Sequence, residues 1–344
     1  MRWDHLRLAE PSRDEQAIPL FAGGAVTRTF DTPEFRGITF YEVQARSIIN
    51  RVPGASRVPF EWTINPYRGC SHACVYCFAR RTHEYLDLDS GHDFDSKIVV
   101  KVNAPDLVRR ELASPRWTGQ PIAMGTNVDV YQRAEGRYRL MPGILAALRD
   151  AANPFSILTK GSLILRDLDL LAEAAEVTDV SAAVSVGFTD QDLWRTVEPG
   201  TPAPRKRLEV CATLNERGIR CGVLMAPILP YLSDSPEALA STVREIADAG
   251  ATYVAPMALH LRPGAREWFL AWLSREHPRL VPRYQELYGR GAYAPKAYQD
   301  RLTRQVAELA RRFGMSSSRP RGARGSERAP RPAAPPAPQQ LTII

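Results

Sequence analysis

Cys70, Cys74 and Cys77 fall within one run from Gly69 to Phe78, in a C-x3-C-x2-C spacing. Three thiolates this close in sequence can close three corners of a cubane iron–sulfur cluster, which ordinarily takes four Cys ligands. The remaining iron would then be open to a substrate or cofactor. Zinc is the competing use of such a set, but a structural zinc site asks for four ligands, usually as two C-x2-C-like pairs. This chain offers one C-x2-C and no second pair, and His72, inside the loop, is a poor fourth ligand. A cluster that only carries electrons would want a fourth Cys. Cys211 shares a helical stripe with Leu208 and Ala212, and Cys221 a strand face with Ile219 and Val223, so both read as buried, inert thiols. The open-iron cluster is therefore the favoured use, with zinc or accidental spacing as the alternatives.

A loop of this kind must be presented by rigid elements. From Phe60 onward short apolar runs alternate with helix-like stretches. The runs cover 60–64, 98–102, 122–125, 155–159, 180–186, 219–225 and 252–255; the helical patterns cover 78–86, 105–112, 140–150, 166–176, 202–217 and 236–248. Ser235 before Pro236 is a helix-start signal, and Gly218 and Gly250 sit just past helix ends. Strands alternating with helices predict βαβ units and a parallel sheet. In a parallel α/β barrel the reactive groups ride on loops at the carboxyl ends of strands, and the cysteine loop directly follows the first run. The fold class predicted is α/β, a partial parallel (β/α)6 TIM-like barrel. Residues 1–46 read as an N-terminal arm that wraps on the core, 47–262 as the core, 263–313 as a helical C-terminal cap, and 314–344 as a disordered Arg/Pro/Ala-rich tail.

The cysteine spacing, with Phe78 just after the third Cys, resembles the signature of the radical S-adenosylmethionine (SAM) enzymes. Residues 38–310 further resemble the branch related to spore photoproduct lyase, often labelled DNA-repair photolyase-like. The carriers are Asn65 to Cys70, Gly125 to Asp129 with Tyr131 and Gln132, Leu158 to Lys160, Ser185 to Gly187, Glu198 to Pro202 with Arg207 to Glu209, and Ala226 to Pro230. Within that branch the chain is most similar to an uncharacterised bacterial group sharing the Asn50–Cys77 lead-in and the Leu261–Gly264 ending. The resemblance implies a 4Fe–4S cluster on Cys70, Cys74 and Cys77 that binds SAM and cleaves it reductively to a 5′-deoxyadenosyl radical, which abstracts hydrogen from a substrate. It also implies an external electron donor such as flavodoxin or ferredoxin. In such enzymes the cofactor carries the hard chemistry, and the protein supplies orientation and exclusion of side reactions.

Other candidate residues follow from strand ends. The turn after the 122–125 run offers a hydroxyl, an amide and a carboxylate, suited to an ammonium group, and the resemblance makes Thr126, Asn127 and Asp129 SAM-binding residues. Lys160 ends the next strand and Ser185 the one after; the resemblance assigns Lys160 to the SAM carboxylate and Ser185 to the ribose or carboxylate. Lys160 is one of five Lys among 45 basic residues, and a compact ammonium is not interchangeable with a planar guanidinium. Glu198 and Arg207 flank a Pro-rich loop, where an ion pair is at least as good an account as a cofactor contact. Pro227 to Pro230, with Asp234, would lay backbone against the adenine. His83 and Tyr85 beyond the cluster, and Arg262 and Arg266 near the barrel's end, could face substrate or simply pack. One departure stands out. Spore photoproduct lyase uses a further Cys near the matched Gly125–Asp129 stretch as hydrogen donor, and this chain has no Cys between Cys77 and Cys211. Tyr76 and Tyr131 are substitute candidates, and thymine-dimer repair is not expected.

The 344-residue chain, 44% hydrophobic and 24% charged, has the composition of a globular protein. No stretch approaches a membrane span and the N-terminus lacks a signal-peptide pattern, so a cytoplasmic protein is expected. Of the net charge of +7, the stretch after Gly314 carries +4 from Arg319, Arg321, Arg324, Arg328 and Arg331 against Glu327, leaving about +3 for the rest. Nucleic acid is thus only weakly supported as a partner. The alternative function is a non-catalytic iron–sulfur or zinc module that binds nucleic acid through the Arg-rich tail.

Overall fold

The computed structural model describes residues 25–53 and 58–317. Over half of the expected arm and nearly all of the expected tail lie outside the described residues.

Strands β1 (Val26–Thr29), β2 (Thr39–Val43), β3 (Ile49–Arg51), β4 (Trp62–Ile64), β5 (Tyr67–Arg68), β6 (Lys97–Lys101), β7 (Ile122–Met124), β8 (Phe155–Thr159), β9 (Val180–Ser185), β10 (Cys221–Ile228) and β11 (Val254–Ala258) form two sheets. The larger is ordered β3-β4-β7-β8-β9-β10-β11. Its strands from β4 to β11 are parallel neighbours, with Trp62 opposite Ile122, Ile122 opposite Phe155, Phe155 opposite Val180, Cys221 opposite Ala182 and Val223 opposite Val254. β3 adds an antiparallel edge on β4. The order leaves β3 and β11 at opposite edges, so this is the open, partial (β/α)6 barrel that the alternation predicts.

Strands of such a sheet are covered on both faces and read as continuous apolar runs. β9 and β10 follow the rule, with Val180, Ala182 and Val184 buried on one face of β9 and Ala183 on the other, and Cys221, Val223 and Met225 buried on one face of β10 and Ala226 on the other. The covering helices include Ala104–Leu112, Leu140–Asp150, Leu168–Val177, Pro204–Glu216 and Pro236–Asp248. The last starts as expected: the Ser235 hydroxyl accepts from Ala238 N at 3.1 Å, with Pro236 in the first turn where its missing N–H costs nothing.

One expectation needs correction. The 98–102 run is not in the barrel. As β6 it sits between β2 (parallel) and β5 (antiparallel) in a separate four-stranded sheet, β1-β2-β6-β5. Ile98, Val99 and Val100 are fully buried; a run apolar on both faces suits any doubly covered sheet, so the run itself does not say which. In the stretch read as a cap, helices Ala265–Glu276 and Val281–Tyr288 pack Phe269, Trp272, Tyr284 and Tyr288 on Val75, Leu229, Leu259 and Leu261. Helix Lys296–Arg312 instead buries Leu302, Val306 and Ala310 in the barrel's main core.

Candidate functional site

The cysteine loop follows β5 and is a succession of tight turns. Cys70 N donates to Phe94 O (3.0 Å), Ala73 N to Cys70 O (3.2 Å), Cys77 N to Cys74 O (3.2 Å) and Arg80 N to Cys77 O (3.3 Å). Cys70 and Cys74 are buried, Cys77 is partly exposed, and all three are free thiols. Burial pushes the Cys74 thiol up to about 12 and raises Cys70 and Cys77 as well. A thiol in such surroundings becomes a thiolate when a metal supplies compensating positive charge, because a coordinating thiol is deprotonated outright. Among the described residues no three His, Cys, Asp or Glu side chains converge on a single metal ion.

Side chains and backbone from several later elements fix this loop. Gln132, fully buried, accepts from Ser71 N (2.9 Å) and donates to Gly69 O (3.0 Å), tying the loop to the segment after β7. Val75 N donates to Val197 O (3.0 Å) and Gly200 N to His72 O (3.1 Å). Gly200 has to be Gly: a Cβ there would sit 2.1 Å from Ser71 O. Arg80, which the sequence reading passed over, is wholly buried. Its guanidinium donates to Cys74 O (3.0 Å), to Gly91 O (2.8 Å) and to both Asp95 oxygens (2.9 Å), and lies over the rings of Phe94 (5.2 Å) and Trp268 (4.8 Å). Its place one helical turn beyond Cys77 was visible in the sequence; its burial was not.

Of the residues singled out at strand ends, Asp129, Lys160 and Ser185 meet here. Asp129, after β7, accepts from Tyr131 N (2.9 Å) and Thr159 Oγ1 (2.7 Å) on one oxygen, and from Lys160 N (2.6 Å) on the other, which also lies 3.3 Å from His72 Nδ1. Burial opposes its charge, but His72 and these hydrogen bonds hold the Asp129 carboxyl down to about 2. His72 is thus a partner of Asp129. The Lys160 ammonium, at the end of β8, donates to Ser185 Oγ (2.7 Å), at the end of β9, and Ser185 Oγ donates to Ala226 O (2.9 Å), in β10. Lys160 also lies 5.7 Å from the ring centre of Tyr76, between Cys74 and Cys77. Thr126 and Asn127 are half-buried on the turn after Gly125, whose φ of 78° and approach to Leu158 O leave no room for a side chain.

Glu198 and Arg207 form a fully buried ion pair. Arg207 also donates to Ser185 O (2.8 Å) and Pro202 O (2.8 Å), while the Tyr76 hydroxyl donates to Glu198. Burial works against Glu198's charge, yet Arg207 and Lys160 hold its carboxyl below the usual range. The pair fastens the loop after β9 to the cysteine loop.

Other candidates are elsewhere. The Tyr131 hydroxyl bonds Asp167 (3.1 Å), and His83 is buried with Nε2 2.8 Å from Lys97 O. Arg266 donates to Gly289 O (2.6 Å) and Gly291 O (2.9 Å), which ties the cap to itself. Cys211 and Cys221 are buried in the core.

Residues 64–243 match the family profile described as the radical SAM superfamily. An uncharacterised protein of Mycobacterium tuberculosis is 49% identical over 318 residues, covering 92% of this chain and 94% of that one. Another, from Methanocaldococcus jannaschii, is 31% identical over 199 residues, covering 57% and 70%. Among solved structures, spore photoproduct lyase complexed with dinucleoside spore photoproduct aligns with a TM-score of 0.59 at 15% identity, covering 80% of this chain and 79% of that one. A mutant of that lyase with bound AdoMet and the same photoproduct gives a TM-score of 0.58 at 15% identity, covering 79% and 78%. With the matched profile spanning more than half the chain, and a relative 49% identical along nearly all of it, this protein belongs to the radical SAM superfamily.

Proposed function

We propose that Cys70, Cys74 and Cys77 hold a 4Fe–4S cluster, and that Thr126, Asn127, Asp129, Lys160 and Ser185 form the SAM side of the same pocket. When bound there, cluster and SAM together supply a radical able to abstract hydrogen from a substrate, given an electron from a donor of the flavodoxin or ferredoxin kind. The observation that carries the reading is the meeting of Lys160 and Ser185, from two different strand ends, at 2.7 Å beside the cysteine loop. Lys160 is a point charge with three donors and can hold a carboxylate while keeping its bond to Ser185. Asp129 aims Lys160 through its backbone N–H and steadies His72 inside the loop. The Thr126 hydroxyl and Asn127 amide supply polar groups beside Asp129. The buried Tyr76–Glu198–Arg207 network fixes the adjoining loop against the cysteine loop.

Spore photoproduct lyase has been captured with a dinucleoside photoproduct. Repair of that lesion is not part of the proposal, because this chain has no Cys between Cys77 and Cys211. Anaerobic reconstitution tests the reading. The protein is expected to carry about four irons with matching sulfide, and to release 5′-deoxyadenosine with dithionite and SAM. Cys74→Ala should abolish that product while far-UV circular dichroism stays unchanged. An equal yield from Cys74→Ala, or a single zinc in place of iron and sulfide, would refute it.

A further inference from the structure

Three rings line up just past the cysteine loop. Phe78, the residue after Cys77, has its ring centre 5.8 Å from His260, and His260 stacks on Tyr293 at 5.7 Å with the planes 26° apart. Arg262 lies 5.7 Å over the Phe78 ring and donates from Nη2 to the Tyr293 hydroxyl at 3.1 Å. His260 and Arg262 come from the stretch after β11, at the carboxyl ends of the barrel strands, and Tyr293 from a loop beyond the cap. Phe78 is 37% and Tyr293 53% exposed, so two large rings joined through His260 present surface to water. Large apolar side chains exposed as a contiguous set, instead of singly, mark binding surfaces. Backbone holds the rings in place: Leu261 N donates to Ala292 O at 2.7 Å, and His260 pairs with Tyr293 in an antiparallel bridge. A surface fixed before a ligand arrives spares the ligand the cost of ordering it.

We propose that Phe78, His260, Tyr293 and Arg262 form the platform that receives the substrate, and that the substrate carries a flat π-faced ring with a negative charge beside it. The inference rests on the radical-enzyme reading above and adds the substrate's chemical class. Ring faces stack on ring faces, and a guanidinium already lying over one of them offers both cation–π contact and a planar fork for an oxyanion. Phe78 is covalently one residue from Cys77, so a ring seated on this surface is delivered to the same end of the barrel as the cysteines. A nucleotide and an aromatic carboxylate share this chemistry.

Binding is measured on the full-length, anaerobically reconstituted protein without reductant, by saturation-transfer NMR and titration with two probes, a deoxydinucleotide monophosphate and phenylacetate. At least one should bind the wild type. Tyr293→Ala and Arg262→Gln should each weaken it about tenfold, equivalent to about 1.4 kcal/mol. Tyr293→Phe, which keeps the ring, should retain most of the affinity. Binding of the dinucleotide alone assigns a nucleotide, of phenylacetate alone an aromatic acid. The proposal is overturned if neither probe binds, or if binding is undiminished in the variants; should Tyr293→Ala fail to fold, Arg262→Gln decides. Because reductant is absent, these results do not depend on SAM cleavage, which is measured separately without probe. Loss of cleavage with binding intact would sink the radical reading alone.

Discussion

Arg80 shows how one buried side chain can set the shape of the cysteine loop. Its guanidinium satisfies Cys74 O, Gly91 O and Asp95 at once while two rings enclose it. A lysine would keep the charge but not the fork, and would leave at least one of these groups unpaired at about 1–3 kcal/mol. Arg80→Lys should therefore lower the melting temperature by several degrees. Because Cys74 would lose its carbonyl anchor, the variant should also broaden the electron paramagnetic resonance signal of the reduced protein and shed iron on gel filtration. A signal identical to wild type, with melting alone reduced, would make Arg80 a fold residue with no hold on the metal centre.

Among elements, the turn after helix Gln191–Val197 packs backbone to backbone against the cysteine loop. Gly200 donates to His72 O, and a Cβ there would collide with Ser71 O at 2.1 Å, a backbone atom that cannot swing aside. Gly200→Ala has to lift one segment off the other, and the buried Glu198–Arg207 pair two residues away moves with it. Iron and sulfide per chain should fall by at least about half in Gly200→Ala under reconstitution that loads the wild type, since ligands held out of place bind metal weakly. Circular dichroism should remain barrel-like, because the strands do not depend on this contact. Full loading of the variant would mean that the two segments are independent.

Among the described residues, two large cores share the work with a small third cluster around Tyr41, Val43 and Val99. The main core joins the barrel strands to their helices and takes in Leu302, Val306, Ala310 and Met315; the second holds the cap on Leu229, Leu259 and Leu261 and touches the cysteine loop at Val75. The folded part reaches past Gly314. Met315 is buried, and Val254 N, on the edge strand β11, donates to Ser316 O at 2.9 Å. A chain ending at Gly314 should thus melt lower than one ending at Ser317, being less stable by about 1–2 kcal/mol for a lost buried side chain and edge hydrogen bond. Equal melting of the two would show that β11 gains nothing from this contact.

Much of this was written in the sequence. The three cysteines suggest a metal centre because ligand type and spacing are local properties, and the strand–helix alternation announced the parallel sheet that the structure shows because each element carries its own periodicity. Lys160 and Ser185 could be picked as strand-end residues one at a time, for the same reason. What the tertiary structure alone decided is which elements adjoin. It moved the 98–102 run out of the barrel, divided the helices after 263 between two cores, turned His72 toward Asp129, and buried Arg80 behind Cys74. It also brought Phe78, His260, Arg262 and Tyr293 to one surface from three distant stretches. Such contacts depend on how whole sheets and helices pack, and residues far apart in the chain carry no local mark of being neighbours.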